Sequence, residues 1–89
     1  MVEKVRVLVV DDSAFFRKRI REELGGSGDI EIVGEAANGR EAVEMAGRLK
    51  PDLITMDVAM PEMDGIAAVR EIMRAHPSRI IMISALTSE

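Results

Sequence analysis

The chain has 89 residues, enough for one small domain or a piece of one with a modest core, and its 47% hydrophobic and 31% charged residues read as a globular, soluble chain and not a disordered one. A formal net charge of −4 argues against direct nucleic-acid binding, which needs a basic footprint, and the lack of cysteine excludes disulfides and thiolate metal sites. The first apolar run follows Glu3, Lys4 and Arg6 and is too short for a signal-peptide core or a membrane span, so a cytoplasmic location without membrane contact is expected.

From the N-terminus, Val5–Val10 is apolar and β-branched, the pattern of a buried strand. Ala14–Leu24 carries Phe16, Ile20 and Leu24 at helical spacing, with Arg17, Lys18 and Arg21 on other faces. The basic cluster Arg17-Lys18-Arg19 with Arg21 reads as a solvated helix flank rather than a docking site for an acidic partner. Gly25, Gly26 and Gly28 end this helix and open a turn. Ile30–Ala36 reads as a second strand. Asn38-Gly39 marks a turn, and Asn38 with Glu41 three residues later suggests a helix cap, followed by an apolar stripe of Ala42, Val43, Ala46 and Leu49.

Lys50-Pro51-Asp52 breaks that helix, and Leu53–Met56 is a third buried strand. Asp64-Gly65 starts another helix with Ile66, Val69, Ile72 and Met73 on one face, and His76-Pro77 ends it, His76 reading as a C-terminal capping group. Arg79–Ser84 contains a fourth buried strand, and the seven methionines read as flexible core filling. The order is β-α-β-α-β-α-β. Such alternation implies an α/β fold: a parallel sheet with right-handed crossovers and helices on both faces. Ligands in these folds bind beyond the C-terminal strand ends, so the chemistry is to be sought there.

The first strand runs into Asp11-Asp12-Ser13 and the third into Asp57. If the two strands are neighbours, three carboxylates converge, an arrangement that is costly unless a cation sits among them. Mg²⁺ suits it, being a hard ion that takes oxygen ligands and often joins one or two carboxylates to a phosphate. One carboxylate would then be free to act as a nucleophile. Asp11 and Asp12 alone are explained equally well as caps of the following helix. Asp57 is harder to explain that way, because Val58-Ala59-Met60-Pro61 follows it rather than a helix start. Met60-Pro61-Glu62-Met63-Asp64-Gly65 taken alone is an ordinary strand-to-helix loop, stiffened by Pro61 and eased by Gly65, with Asp64 able to cap the helix. A Ser84 hydroxyl at the fourth strand end could donate to an oxyanion at Asp57, although a lone serine there is commonplace.

A strand ending in VVDDS, another running into ITMDVAMPEMDG and a third ending in IIMISA occur in one order. Together they resemble the receiver domain of two-component response regulators, over the whole of residues 1–89. The resemblance implies a flavodoxin-like sheet of order 2-1-3-4-5, of which this stretch supplies 2-1-3-4. It implies a phosphoryl group accepted from a histidine kinase on Asp57. It makes Asp12 the Mg²⁺ carboxylate, with Asp11 acting mainly through a bound water, and the Ala59 backbone carbonyl a further ligand. Ser84 matches the switch hydroxyl, and Ala85 the small residue that leaves room for phosphoryl access. Pro61, Asp64 and Gly65 match the loop that shapes the site. Within the family, DDSAFFR, DLITMDVAMPEMDGI and RIIMISALTSE look most like the receivers of chemotaxis protein-glutamate methylesterases.

The family pattern continues with a helix, a strand ending in a lysine, and a further helix, none of which has a counterpart up to Glu89. The expectation is therefore the N-terminal part of a receiver, without a methylesterase catalytic domain. Its only catalysis would be its own phosphorylation and dephosphorylation. The fourth strand's free edge suggests an alternative: a structural fragment that pairs with a second copy or another chain and transfers no phosphate. A Mg²⁺-dependent phosphohydrolase ranks lower, because no second acid lies two residues past Asp57, and no Gly-rich loop follows the first strand to suggest nucleotide binding.

Overall fold

The computed structural model describes residues 4–57, 65–75 and 77–83. The elements are β1 (Val5–Val10), α1 (Ala14–Gly25), β2 (Ile30–Ala36), α2 (Gly39–Leu49), β3 (Leu53–Asp57), α3 (Gly65–Ala75) and β4 (Arg79–Ile83). All strand pairs are parallel, and the sheet order is β2-β1-β3-β4. This is the flavodoxin-like receiver arrangement expected for the stretch. Among the described residues, no helix is long and apolar enough to cross a membrane.

Strand pleating sends alternate side chains to opposite faces, and both faces are used. On one, Leu8, Val10, Ile54 and Met56 pack with Ala42 and Ala46 of α2 and Ala68 and Ile72 of α3 in a single buried cluster. The alanines let both helices lie close to the sheet. Gly34 on β2 serves the same end: a Cβ there would lie 2.8 Å from the ends of the Met45 and Leu49 side chains. It stands opposite Leu8 because the β1–β2 register slips by one residue between Val7 and Leu8. On the other face Val7 and Val9 are buried beneath α1. The stripe of α1 is less enclosed: none of its residues is buried, and Phe16, Ile20 and Leu24 line an apolar groove with Leu53, Thr55 and Ile81. Met56 fills core as expected of a methionine, whereas Met73 is exposed.

Caps fix the loops. Asn38 Oδ1 accepts from Glu41 N at 2.8 Å, as its spacing predicts, and the Glu41 carboxylate reaches back to Ala37 N. The α2 helix ends on Lys50 in the left-handed conformation (φ 50°), a position more often filled by glycine. Its carbonyl accepts from the Arg6 guanidinium at 2.9 Å. Helix α1 runs through Gly25 to a C-cap at Gly26, and the positive φ falls at Gly28 (83°).

Candidate functional site

Strands β1 and β3 are hydrogen-bonded neighbours with Val10 opposite Met56, so the next residue on each, Asp11 and Asp57, come level at their C-terminal ends. Together with Asp12 they bring carboxylate oxygens within 4.8 Å of one another. Asp11 and Asp57 are only 6% and 5% exposed, whereas Asp12 faces solvent. The half-buried, half-open arrangement follows from the chain path: β1 is covered on both sides up to Val10, then leaves the sheet at Asp12 to enter α1.

Neither Asp11 nor Asp12 caps α1. The N-cap is Ser13, whose Oγ accepts from Phe16 N at 3.3 Å. Asp11 instead closes the turn: its Oδ1 accepts from Ser13 N at 2.9 Å, and its own N–H donates to the Ala36 carbonyl at 3.0 Å. Burial pushes the Asp11 carboxyl above its ordinary range and the Asp12 charge adds to the rise, while the Ser13 N–H and Arg17 oppose it. A crowded, partly desolvated set of hard oxygen donors is what a divalent cation relieves, so the residues present fit Mg²⁺.

Of the other residues singled out in the sequence, Gly65 is described: it is buried and heads α3. Ala59, Pro61, Asp64, Ser84 and Ala85 lie outside the described residues, as does His76. The apolar groove beside α1 contains none of the three clustered acids.

Two residues that sequence reasoning passed over bear on this turn. Arg17, read as part of a solvated flank, donates from Nη1 to the Asp11 carbonyl at 2.7 Å and from Nε to Glu35 Oε1 at 3.2 Å. Glu35 also pairs with Arg21. The available signal was an acid at the end of a strand adjoining β1, within reach of a basic residue one turn into the helix after it.

Comparison with known proteins settles the family. Residues 7–89 match the response regulator receiver domain family. The chain belongs to that family. This receiver is 66% identical over 84 residues to a protein-glutamate methylesterase/protein-glutamine glutaminase of Alkalilimnicola ehrlichii, covering 94% of the chain and 22% of that protein. It is 60% identical over 85 residues to a protein of the same description in Hahella chejuensis, covering 96% of the chain and 22% of that protein. The receiver thus spans about a fifth of the length of the curated relatives it matches. Among solved structures, the response regulator domain of Thermotoga maritima CheB superposes with a TM-score of 0.92 at 50% identity, covering 98% of the receiver and 65% of that chain. A chain from the CheX–CheY–BeF₃–Mg²⁺ complex of Borrelia burgdorferi gives a TM-score of 0.85 at 39% identity, covering 98% and 66%. The receiver is that of a response regulator such as CheB.

Proposed function

We propose that this receiver accepts a phosphoryl group on Asp57 from a histidine kinase, with Mg²⁺ held at Asp11, Asp12 and Asp57. The observation that carries the reading is the convergence of three carboxylates within 4.8 Å at the ends of β1 and β3, two of them buried. Carboxylates crowded in this way repel one another, and a bound cation that also takes a phosphoryl group relieves that repulsion. The Borrelia burgdorferi complex, which pairs a related fold with Mg²⁺ and BeF₃, supports the same chemistry.

In this reading an Asp57 carboxylate oxygen forms a bond to phosphorus as the bond from phosphorus to the kinase imidazole nitrogen breaks. The electron pair stays on that nitrogen. Asp57 is held for attack by β3, with its strand paired on both sides by β1 and β4. Asp11 and Asp12 lie on the turn beside it, and Asp12 keeps the site open to solvent and to a partner. When bound, Mg²⁺ supplies positive charge that offsets the carboxylates and the phosphoryl oxygens. Ala59 through its carbonyl, the Ser84 hydroxyl, the small Ala85 and the loop residues Pro61, Asp64 and Gly65 complete the proposed site. Membership of the family supports the kinase partner, the cytoplasmic setting and a place in a chemotaxis phosphorelay.

The test is incubation with acetyl phosphate and Mg²⁺, followed by intact mass spectrometry. The expected result is one added phosphoryl group that requires Mg²⁺ and is lost in Asp57→Asn. A folded protein that gains no phosphoryl group, or an adduct that persists in Asp57→Asn, overturns the reading.

A further inference from the structure

The Asp11 peptide is gripped from both ends. Its N–H donates to the Ala36 carbonyl at 3.0 Å, and its carbonyl oxygen accepts from Arg17 Nη1 at 2.7 Å. Arg17 is in turn fixed by Glu35, the residue preceding Ala36 on β2, through Nε at 3.2 Å. These contacts form a closed ring that runs from the turn through α1 to β2 and back. The Arg17 and Glu35 side chains are 19% and 27% exposed, sheltered enough to hold their geometry against solvent. Arg21 pairs with the same Glu35 carboxylate but is 47% exposed.

We infer that Arg17, braced by Glu35, is a positioning residue: it fixes the Asp11–Asp12 peptide so that both carboxylates face Asp57 at cation-binding distance. The inference rests on the divalent-cation reading of the acidic cluster above. The physical need is plain. The three carboxylates repel one another, and a short turn between a strand and a helix would relax by swinging the two leading acids apart. A planar guanidinium can hold a carbonyl and a carboxylate at once through donors in fixed relation, which a lysine ammonium on a flexible stem cannot do as well.

The sign of the effect separates positioning from plain electrostatics. Arg17 carries a positive charge close to the proposed cation, so charge alone makes its removal tighten metal binding. Positioning makes its removal weaken binding. Loss of a residue that orients metal ligands commonly costs about 10–100-fold in affinity.

The experiment measures Mn²⁺ affinity of the metal-free protein by the loss of the free-ion electron paramagnetic resonance signal, with circular dichroism confirming the fold of each variant. Arg17→Met and Arg17→Lys are both expected to bind Mn²⁺ about tenfold or more weakly. Glu35→Gln, which keeps an acceptor for Arg17 but loses the charge, is expected to fall between them and the parent. Arg21→Met, which disturbs the same ion pair without touching the turn, is expected to bind like the parent. If Arg17→Met does not fold, Arg17→Lys decides, since it keeps the charge and most of the stem. Parental or tighter binding in a folded Arg17→Met, parental binding in Arg17→Lys, or equal weakening in Arg21→Met overturns the positioning role alone. A parent that binds no Mn²⁺ overturns the cation reading itself, and this inference with it.

Discussion

Asp11 and Asp57 stand level at the ends of neighbouring parallel strands, both almost wholly buried, with carboxylate oxygens of Asp11, Asp12 and Asp57 within 4.8 Å of one another. The sheet thus stores electrostatic repulsion at the point where function is expected, and stability and function should pull in opposite directions there.

The first prediction follows from the Asp11 carboxyl, which burial holds above its ordinary pKa of 3.8. A raised native pKa means the folded protein binds this proton more tightly than the unfolded one. Stability therefore falls as pH rises through the interval between the unfolded and native values, and the penalty is fully present above the native value. Asp11→Asn keeps an acceptor for Ser13 N while removing the charge. In metal-free buffer the variant is expected to melt above the parent at neutral pH, with the gap closing as pH drops below 3.8. A lower melting temperature at neutral pH would show that the hydrogen bond of the charged carboxylate outweighs its desolvation.

Mg²⁺ should stabilise the native state by binding it and not the unfolded chain. At a free concentration 100 times Kd the gain is about 2.7 kcal/mol. Differential scanning calorimetry across a Mg²⁺ series is expected to show a rising transition in the parent, reversed by a chelator. The double variant Asp11→Asn, Asp12→Asn should show no such dependence. A salt control at equal ionic strength separates site binding from screening.

The buried cluster on the α2–α3 face carries the fold. Ile54 and Ile72 are at or below 1% exposure within it. Ile54→Ala is expected to cost about 2–5 kcal/mol, through lost burial and the cavity left between the sheet and two helices. Met73, 45% exposed on the outer side of α3, should tolerate alanine within about 0.5 kcal/mol. Urea denaturation of the two variants checks both. Comparable costs would mean that α3 packs differently in solution.

The element order was legible because each strand is a short β-branched run and each helix a longer 3.6-residue pattern. Asn38 with Glu41 gave its cap correctly because that spacing has few other uses. Asp57 could be singled out because Val58-Ala59-Met60-Pro61, not a helix-start pattern, follows it in the sequence. The α1 cap was not legible: aspartate and serine cap equally well, and it is the folded turn that has Ser13 capping while Asp11 closes it. Arg17 was hidden for a different reason. Its partners are a backbone carbonyl, which has no signature in a sequence, and Glu35 on a strand that becomes adjacent only through the parallel pairing of β1 with β2.

Lys50 gives a final prediction. It holds φ at 50°, a conformation that crowds Cβ against its own backbone and costs a non-glycine residue about 1–2 kcal/mol. The strain persists because the chain must turn sharply from α2 into Pro51 and β3, and because the Lys50 carbonyl is held by the Arg6 guanidinium at 2.9 Å. Lys50→Gly keeps that carbonyl and relieves the crowding, but glycine also loses more chain entropy on folding. The net expectation is a gain of about 0.5–1 kcal/mol, read as a higher urea midpoint at an unchanged slope. Lys50→Ala, which keeps the Cβ, should show no gain. A stabilised alanine variant would instead assign the effect to the lysine side chain.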